Sequence, residues 1–165
     1  QFEIIGPPRH LDNFEPTFIP MQVLGTGREM LYLNQVLRDP SDARLPRAQC
    51  PVDKIFICVL ATPDRAASVA FYADRVGLDR GPDYTLAYSM INRAFDLPPD
   101  TKTTISMIHR GLEPMIEIDD SPESPGPRDV LEGTLPQGNA QLNLAVRRLE
   151  GADPIAAPRS AGRRC

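Results

Sequence analysis

The stretch Ile55-Phe56-Ile57-Cys58-Val59-Leu60, Thr62-Pro63-Asp64-Arg65, Ser68-Val69-Ala70-Phe71-Tyr72 and Gly77-Leu78 decides the fold. Its first six residues are apolar, with β-branched and aromatic side chains, and predict a buried strand. Thr62 then reads as the cap of a helix. Pro63 has no N–H to leave unpaired at the first helical position, and Asp64 complements the positive end. Val69, Tyr72, Ala73 and Val76 fall at i, i+3, i+4 and i+7, on one helix face. Gly77 supplies a left-handed stop. A strand feeding directly into an amphipathic helix is a βα unit.

Working outward, Tyr84–Tyr88 reads as a strand and Met90–Phe95 as a short helical turn ended by Pro98-Pro99. Thr103–His109 and Pro114–Ile118 read as two strands joined by a turn through Gly111. The central order is therefore β-α-β-(short α)-β-β. Upstream, Phe2–Ile5, Phe18–Leu24 and Met30–Val36 predict a small antiparallel set, with Gly25-Thr26-Gly27 providing the positive φ of a tight hairpin. Downstream, Ala140–Val146 alternates polar and apolar residues as a half-buried strand does. Three stretches rich in proline and polar residues, 38–51, 121–136 and 151–165, read as connections and tail. The chain divides into 1–37, a linker 38–51, a central piece 52–120, a connection 121–136, and a last piece with its tail, 137–165.

The 165 residues are 41% hydrophobic and 24% charged, enough for a globular domain with a core. Eleven glycines and eighteen prolines point to a loop-rich chain and exclude a coiled coil. A formal charge of −4 gives no electrostatic reason to expect a nucleic acid or an anionic membrane as partner. No apolar run reaches the roughly 18 residues of a membrane-spanning helix. Cys50, Cys58 and Cys165 are odd in number and widely spaced, so they predict neither a zinc cage nor a disulfide framework. Cys58 reads as a small core residue. This cysteine usage fits the cytoplasm.

The string Val52-Asp-Lys-Ile-Phe-Ile57, then Asp64, Ser68–Tyr72 and Gly77-Leu78, resembles the opening βα unit of the vicinal oxygen chelate superfamily, the glyoxalase, bleomycin-resistance and extradiol-dioxygenase group. Gly111 with Met115-Ile-Glu-Ile118 resembles the strand that closes such a module. Gly138 with Gln141–Val146 resembles the start of the next one, and residues 1–37 resemble the closing strands of a preceding one. The resemblance implies an α+β fold. Its βαβββ modules form a curved, half-open mixed sheet with helices on the convex face. It also implies that the chain is a segment of a longer tandem protein, paired with another module or a second copy as a homodimer; the alternative is a single α+β domain.

What the resemblance implies for the site is a divalent ion (Fe, Mn, Ni or Zn) acting as a Lewis acid on vicinal oxygens, held by His and Glu side chains. Glu117 stands where the family has its closing Glu and is the expected catalytic residue and metal ligand. Lys54 stands where the first His is expected, and an ammonium repels a cation. Gln141 replaces the second His, and Tyr32 replaces the Glu of the closing hairpin. An ion pair between Lys54 and Glu117 would take the metal's place. Arg93 could hold a substrate carboxylate, and His109, at a strand end, is a further ligand-binding candidate beside the solvated His10. The acidic run Glu117, Asp119, Asp120 and Glu123 lacks calcium-loop spacing and reads as a solvated edge. Three functions stand open: a metal-dependent lyase or dioxygenase acting on a small polar molecule, a metal-free small-molecule binding protein, and a structural half-domain of a larger enzyme.

Overall fold

The computed structural model describes residues 1–10, 18–53, 55–120, 130–139 and 141–144, with the side chains of Met90 and Ala94 left aside. The protein is α+β. Strands β1 (Glu3–Gly6), β2 (Phe18–Leu24) and β3 (Met30–Val36) form an antiparallel sheet in the order β1-β2-β3. Strands β4 (Cys58–Thr62), β5 (Asp79–Ala87), β6 (Lys102–Arg110) and β7 (Glu113–Asp120) form a mixed sheet in the order β4-β7-β6-β5. β4 runs parallel to β7, while β5, β6 and β7 are antiparallel neighbours. Helix α1 (Arg65–Ala70) follows β4, and helix α2 (Ser89–Ala94) follows β5. The central piece is thus a βαβββ unit. No helix among the described residues is long and apolar enough to cross a membrane.

The core follows from alternation on β7. Ile116 and Ile118 point to one face, where they meet Ile108 of β6, and all three are fully buried. Leu60 of β4 and Val69 of α1 pack against them, as do Tyr72 and Leu78. Burying one such isoleucine contributes about 1.5–3 kcal/mol, so this face holds α1 against β6 and β7. Cys58 lies on the same face, opposite Ile116, and burial pushes its thiol up from the usual range.

The helix begins two residues later than its sequence suggests. Asp64 is the cap, its carboxylate accepting from the Ala67 N–H at 2.9 Å, while Thr62 ends β4 and accepts from the Asp64 N–H at 3.2 Å. Past Ala70 the helix widens into a π-helical stretch, Phe71–Arg75, and stops at Gly77 with φ +78°. There the Leu78 N–H donates back to the Tyr72 carbonyl at 3.1 Å, closing the end. In the β2–β3 turn the positive φ falls on Arg28 (φ 66°), not on Gly25 or Gly27, because the Arg28 N–H closes a turn onto the Gly25 carbonyl.

Two further expectations are corrected. β5 starts at Asp79, five residues before the strand read from sequence, because Gly81-Pro82 forms an irregularity inside the strand instead of its boundary. The described residues 141–144 are not in a strand; positions 140 and 145–146 of that expectation lie outside the described residues. The linker 38–51 has no helix or strand but is anchored. Ala43 and Leu45 are buried, the Leu45 N–H donates to Asp39 at 2.9 Å, and the Arg44 N–H donates to the Leu112 carbonyl at 2.7 Å.

At Gly81 an added Cβ would sit 2.8 Å from the His109 ring and 2.9 Å from the Met107 Cβ. Neither atom is the loose end of a side chain. Gly81→Ala is expected to destabilise the fold by about 1–3 kcal/mol, read as a lower midpoint in chemical denaturation with an unchanged slope.

Candidate functional site

The face of β7 opposite the isoleucines carries Glu117 and Asp119, two residues apart and so on one side of the strand. Glu117 lies beside Val59 of β4 and Met107 of β6; Asp119 lies beside Ala61 and Ile105. Tyr88, between β5 and α2, reaches this face and donates its phenol proton to Glu117 Oε1 at 3.3 Å. Tyr32 comes from the other sheet, on β3, and its hydroxyl lies 2.8 Å from that of Tyr88. Gln22, directly across from Tyr32 on β2, hydrogen-bonds the Tyr32 phenol. Gly6 opposite Gln22 leaves the space this needs, since a Cβ there would meet the Gln22 amide at 2.3 Å.

Proton counting gives the chain a direction. Tyr88 has one proton and gives it to Glu117, so Tyr32 donates to Tyr88 and accepts from the Gln22 amide. At the other end Asp119 hydrogen-bonds Glu117, a contact that requires a proton between the two carboxyls. Burial is the main cause that raises every acid in the row. It lifts Glu117 above the usual carboxyl range and pushes Asp119 up to about 8, with the Glu117 charge adding to the second. Tyr88 is raised by burial and then by Glu117, and Tyr32 is raised by burial. The row joins two phenols to a pair of carboxyls, all four raised by burial. Asp119 is 3% exposed, yet among the described residues its Oδ1 has no hydrogen-bond partner, and neither do the buried Oδ1 atoms of Asn92 and of Asn34, two residues from Tyr32 on β3.

Asn92 holds α2 in place below Tyr88. Its side-chain N–H groups donate to the carbonyls of Pro99 at 3.1 Å and Thr101 at 2.9 Å, and its backbone N–H donates to the Tyr88 carbonyl at 3.0 Å. These bonds satisfy the Nδ2 end of the buried amide, while its Oδ1 has no partner among the described residues.

Of the residues singled out from sequence, Tyr32 and Glu117 are brought together, bridged by Tyr88. Lys54 lies outside the described residues, as do Glu123 and Cys165. β4 begins only at Cys58, and Glu117 shares its face with Val59 and not with Cys58. Gln141 is exposed and donates its amide to Asn143 at 2.7 Å. Arg93 is exposed in the last turn of α2. His109 is not at a solvated turn: it is 6% exposed, with its ring against Gly81. The acidic run is not a uniform solvated edge either, because Asp119 is buried and Asp120 pairs with Arg65.

Sequence reasoning missed Tyr88, Asp119 and Gln22. Only Asp119 left a signal, its parity with Glu117 in Glu-Ile-Asp. A scan against protein-family models finds no match, and a search of the curated proteins finds none. The site therefore rests on its own chemistry. The resemblance implies imidazole and carboxylate ligands for a borderline divalent ion. The assembled set is two phenols and a carboxyl pair that shares a proton, and among the described residues no three His, Cys, Asp or Glu side chains converge. That donor set does not match such an ion, and no step is derived through one.

Two expectations follow. Between about pH 4, where an unfolded carboxyl ionises, and about pH 8, the folded protein retains the Asp119 proton that the unfolded chain has lost. Stability is therefore greatest below that window and falls as pH rises through it; Asp119→Asn flattens the fall, read by urea denaturation at a series of pH values. Tyr88→Phe strands both Tyr32 and Glu117 and costs about 1–3 kcal/mol, more than Tyr32→Phe at about 1 kcal/mol.

Proposed function

We propose that the chain is a protein of the vicinal oxygen chelate type that holds a small polar organic molecule between its two sheets, through hydrogen bonds and without a metal ion. The observation that carries this reading is the buried Asp119 Oδ1, unpartnered among the described residues, at the end of the row from Tyr32 through Tyr88 to Glu117. Buried acceptors in folded proteins are paired, and an acceptor left over beside a shared proton suits a guest that brings its own donor. Asn34 Oδ1 supplies a second such acceptor on the face of β3 that carries Tyr32. The guest is a molecule with hydroxyl or N–H donors, and the Glu117–Asp119 pair both accepts from it and donates to it.

The βαβββ order supports the family reading, with Glu117 on the closing strand and Tyr32 on the last strand of the N-terminal sheet. In this reading a second module or a second copy of the chain covers the outer strands β1 and β4, and the protein works in the cytoplasm, where thiols such as the free Cys50 and Cys58 stay reduced.

The experiment is elemental analysis of protein purified without chelator or added metal, followed by a thermal-shift screen of small hydroxylated aromatics and carboxylates with and without EDTA. The expected result is no stoichiometric transition metal, and a ligand-induced shift that survives EDTA and is weakened about tenfold or more by Glu117→Gln. One bound Fe, Mn, Ni or Zn per chain, whose removal abolishes ligand binding, overturns the proposal in favour of the metal-dependent lyase or dioxygenase.

A further inference from the structure

A cleft of about 500 Å³ opens on the other face of the mixed sheet, between α1 and β5–β6. Its construction starts from an irregularity in β5. Arg80 and Asp83 are three residues apart, which in a regular strand would send their side chains to opposite faces. Here Arg80 pairs with Ile108 and Asp83 with Ser106, so three steps along β5 match two along β6. Gly81-Pro82 absorbs the extra residue. Pro82 has no N–H to lose from the ladder, and Gly81 allows the close approach of His109. Ile108 and Ser106 share a face, so the bulge turns Arg80 and Asp83 to that face together; re-aiming side chains is what such bulges do.

The charges in the cleft are held but not saturated. Arg65 of α1 donates from Nε to Asp120 at 3.1 Å and from Nη1 to Ser106 Oγ, and reaches Asp83 Oδ2 only at 3.5 Å. Ser106, 1% exposed, donates to Asp83 Oδ1 at 2.6 Å and so sets the position of that carboxylate. Asp83 Oδ2 is left with the one loose contact on a side chain 63% exposed. Arg80 binds Asp74 through Nη2 alone, at 3.1 and 3.2 Å, and its Nε and Nη1 have no partner among the described residues. The helical wall of the cleft adds the apolar Ala66 and Val69.

We propose that this cleft binds a free α-amino acid with an aliphatic side chain. The ammonium group faces Asp83 Oδ2, the carboxylate accepts from Arg80, and the side chain lies against Ala66 and Val69. The charges that line the cleft are the Asp83 carboxylate and the Arg65 and Arg80 guanidinium groups; Asp120 and Asp74, outside the lining, pair with the two arginines. A plain cation would meet the two guanidinium groups and a plain anion would leave Asp83 unmatched, whereas a zwitterion is matched at both ends. Charge-assisted hydrogen bonds of this kind are the strong ones. The site lies across the sheet from Glu117 and is independent of the function proposed above.

The test is an NMR titration of the full chain with L-leucine, compared with isopentylamine and 4-methylpentanoate, which keep its side chain but lack the carboxylate or the ammonium. The expected result is saturable binding of leucine, with shifts at the amides of Arg65, Val69, Ser106 and Asp83. Asp83→Asn and Arg80→Gln each weaken it about tenfold or more, with unchanged circular dichroism because both side chains are exposed. Glu117→Gln leaves leucine binding unchanged, which separates the two sites. Absence of saturation at millimolar leucine overturns the proposal. Equal affinity in both cleft variants does so too, as does binding of the amine or the acid alone as tightly as leucine.

Discussion

The parallel pairing of β4 with β7 is the constraint on which the rest of the structure depends. In that pairing Cys58 and Leu60 stand opposite Ile116 and Ile118, while Val59 and Ala61 stand opposite Glu117 and Asp119. Every residue of one parity is thereby committed to the face that α1 covers, and every residue of the other to the face that looks toward the N-terminal sheet. A slip by one residue would put two carboxyls under the helix and two isoleucines against the phenols. The cost of burying those acids without partners, several kcal/mol, makes the register a matter of energy as well as geometry.

The two faces of β7 consequently do different work. The helix side is closed by apolar packing around Ile108, Ile116 and Ile118, with its ionic groups gathered at one edge by Arg65. The opposite side is joined to the N-terminal sheet by polar contacts instead: Tyr32 to Tyr88, Arg9 to Ser89, and, through the connection, Tyr84 to Asp42 at 3.1 Å. The later chain adds to this. The Gly138 N–H donates to the Gly27 carbonyl at 2.7 Å, and Asn139 donates to the Met30 carbonyl at 3.0 Å. Polar junctions are directional, and they fix which side chains of the two sheets meet without demanding a dry interface. That is how a buried row of phenols and carboxyls persists where hydrophobic packing would have excluded it.

Local chemistry explains which parts of this were legible in advance. The ranges of β2 and β3 agree with the expected ones residue for residue, because a continuous run of strand formers on either side of a glycine-rich turn has few alternatives. The helix face of Val69 and Tyr72 was equally readable, since its period is set by the helix itself. Its start was less so: Thr62 was expected to be the cap, but β4 continues through Thr62 and Asp64 caps the helix instead. The early start of β5 was not readable: Gly81-Pro82 is ordinary turn chemistry along the chain, and only pairing with β6 turns it into a bulge inside a nine-residue strand.

The sequence by itself determined the order of elements, the apolar face of β7 and the shared parity of Glu117 and Asp119, because alternation and helical period are properties of neighbours along the chain. It placed Tyr32 and Glu117 in the candidate set only through resemblance. The tertiary structure decided that Tyr88 stands between them, that Gln22 and Asp119 end the row, and that Arg80 and Asp83 turn to one face. These facts depend on contacts between residues far apart in sequence: 56 positions from Tyr32 to Tyr88 and 29 from Tyr88 to Glu117. Hydrogen bonds across such separations leave no periodic trace. They exist because two sheets, each specified locally, bury polar groups against each other that must then find partners.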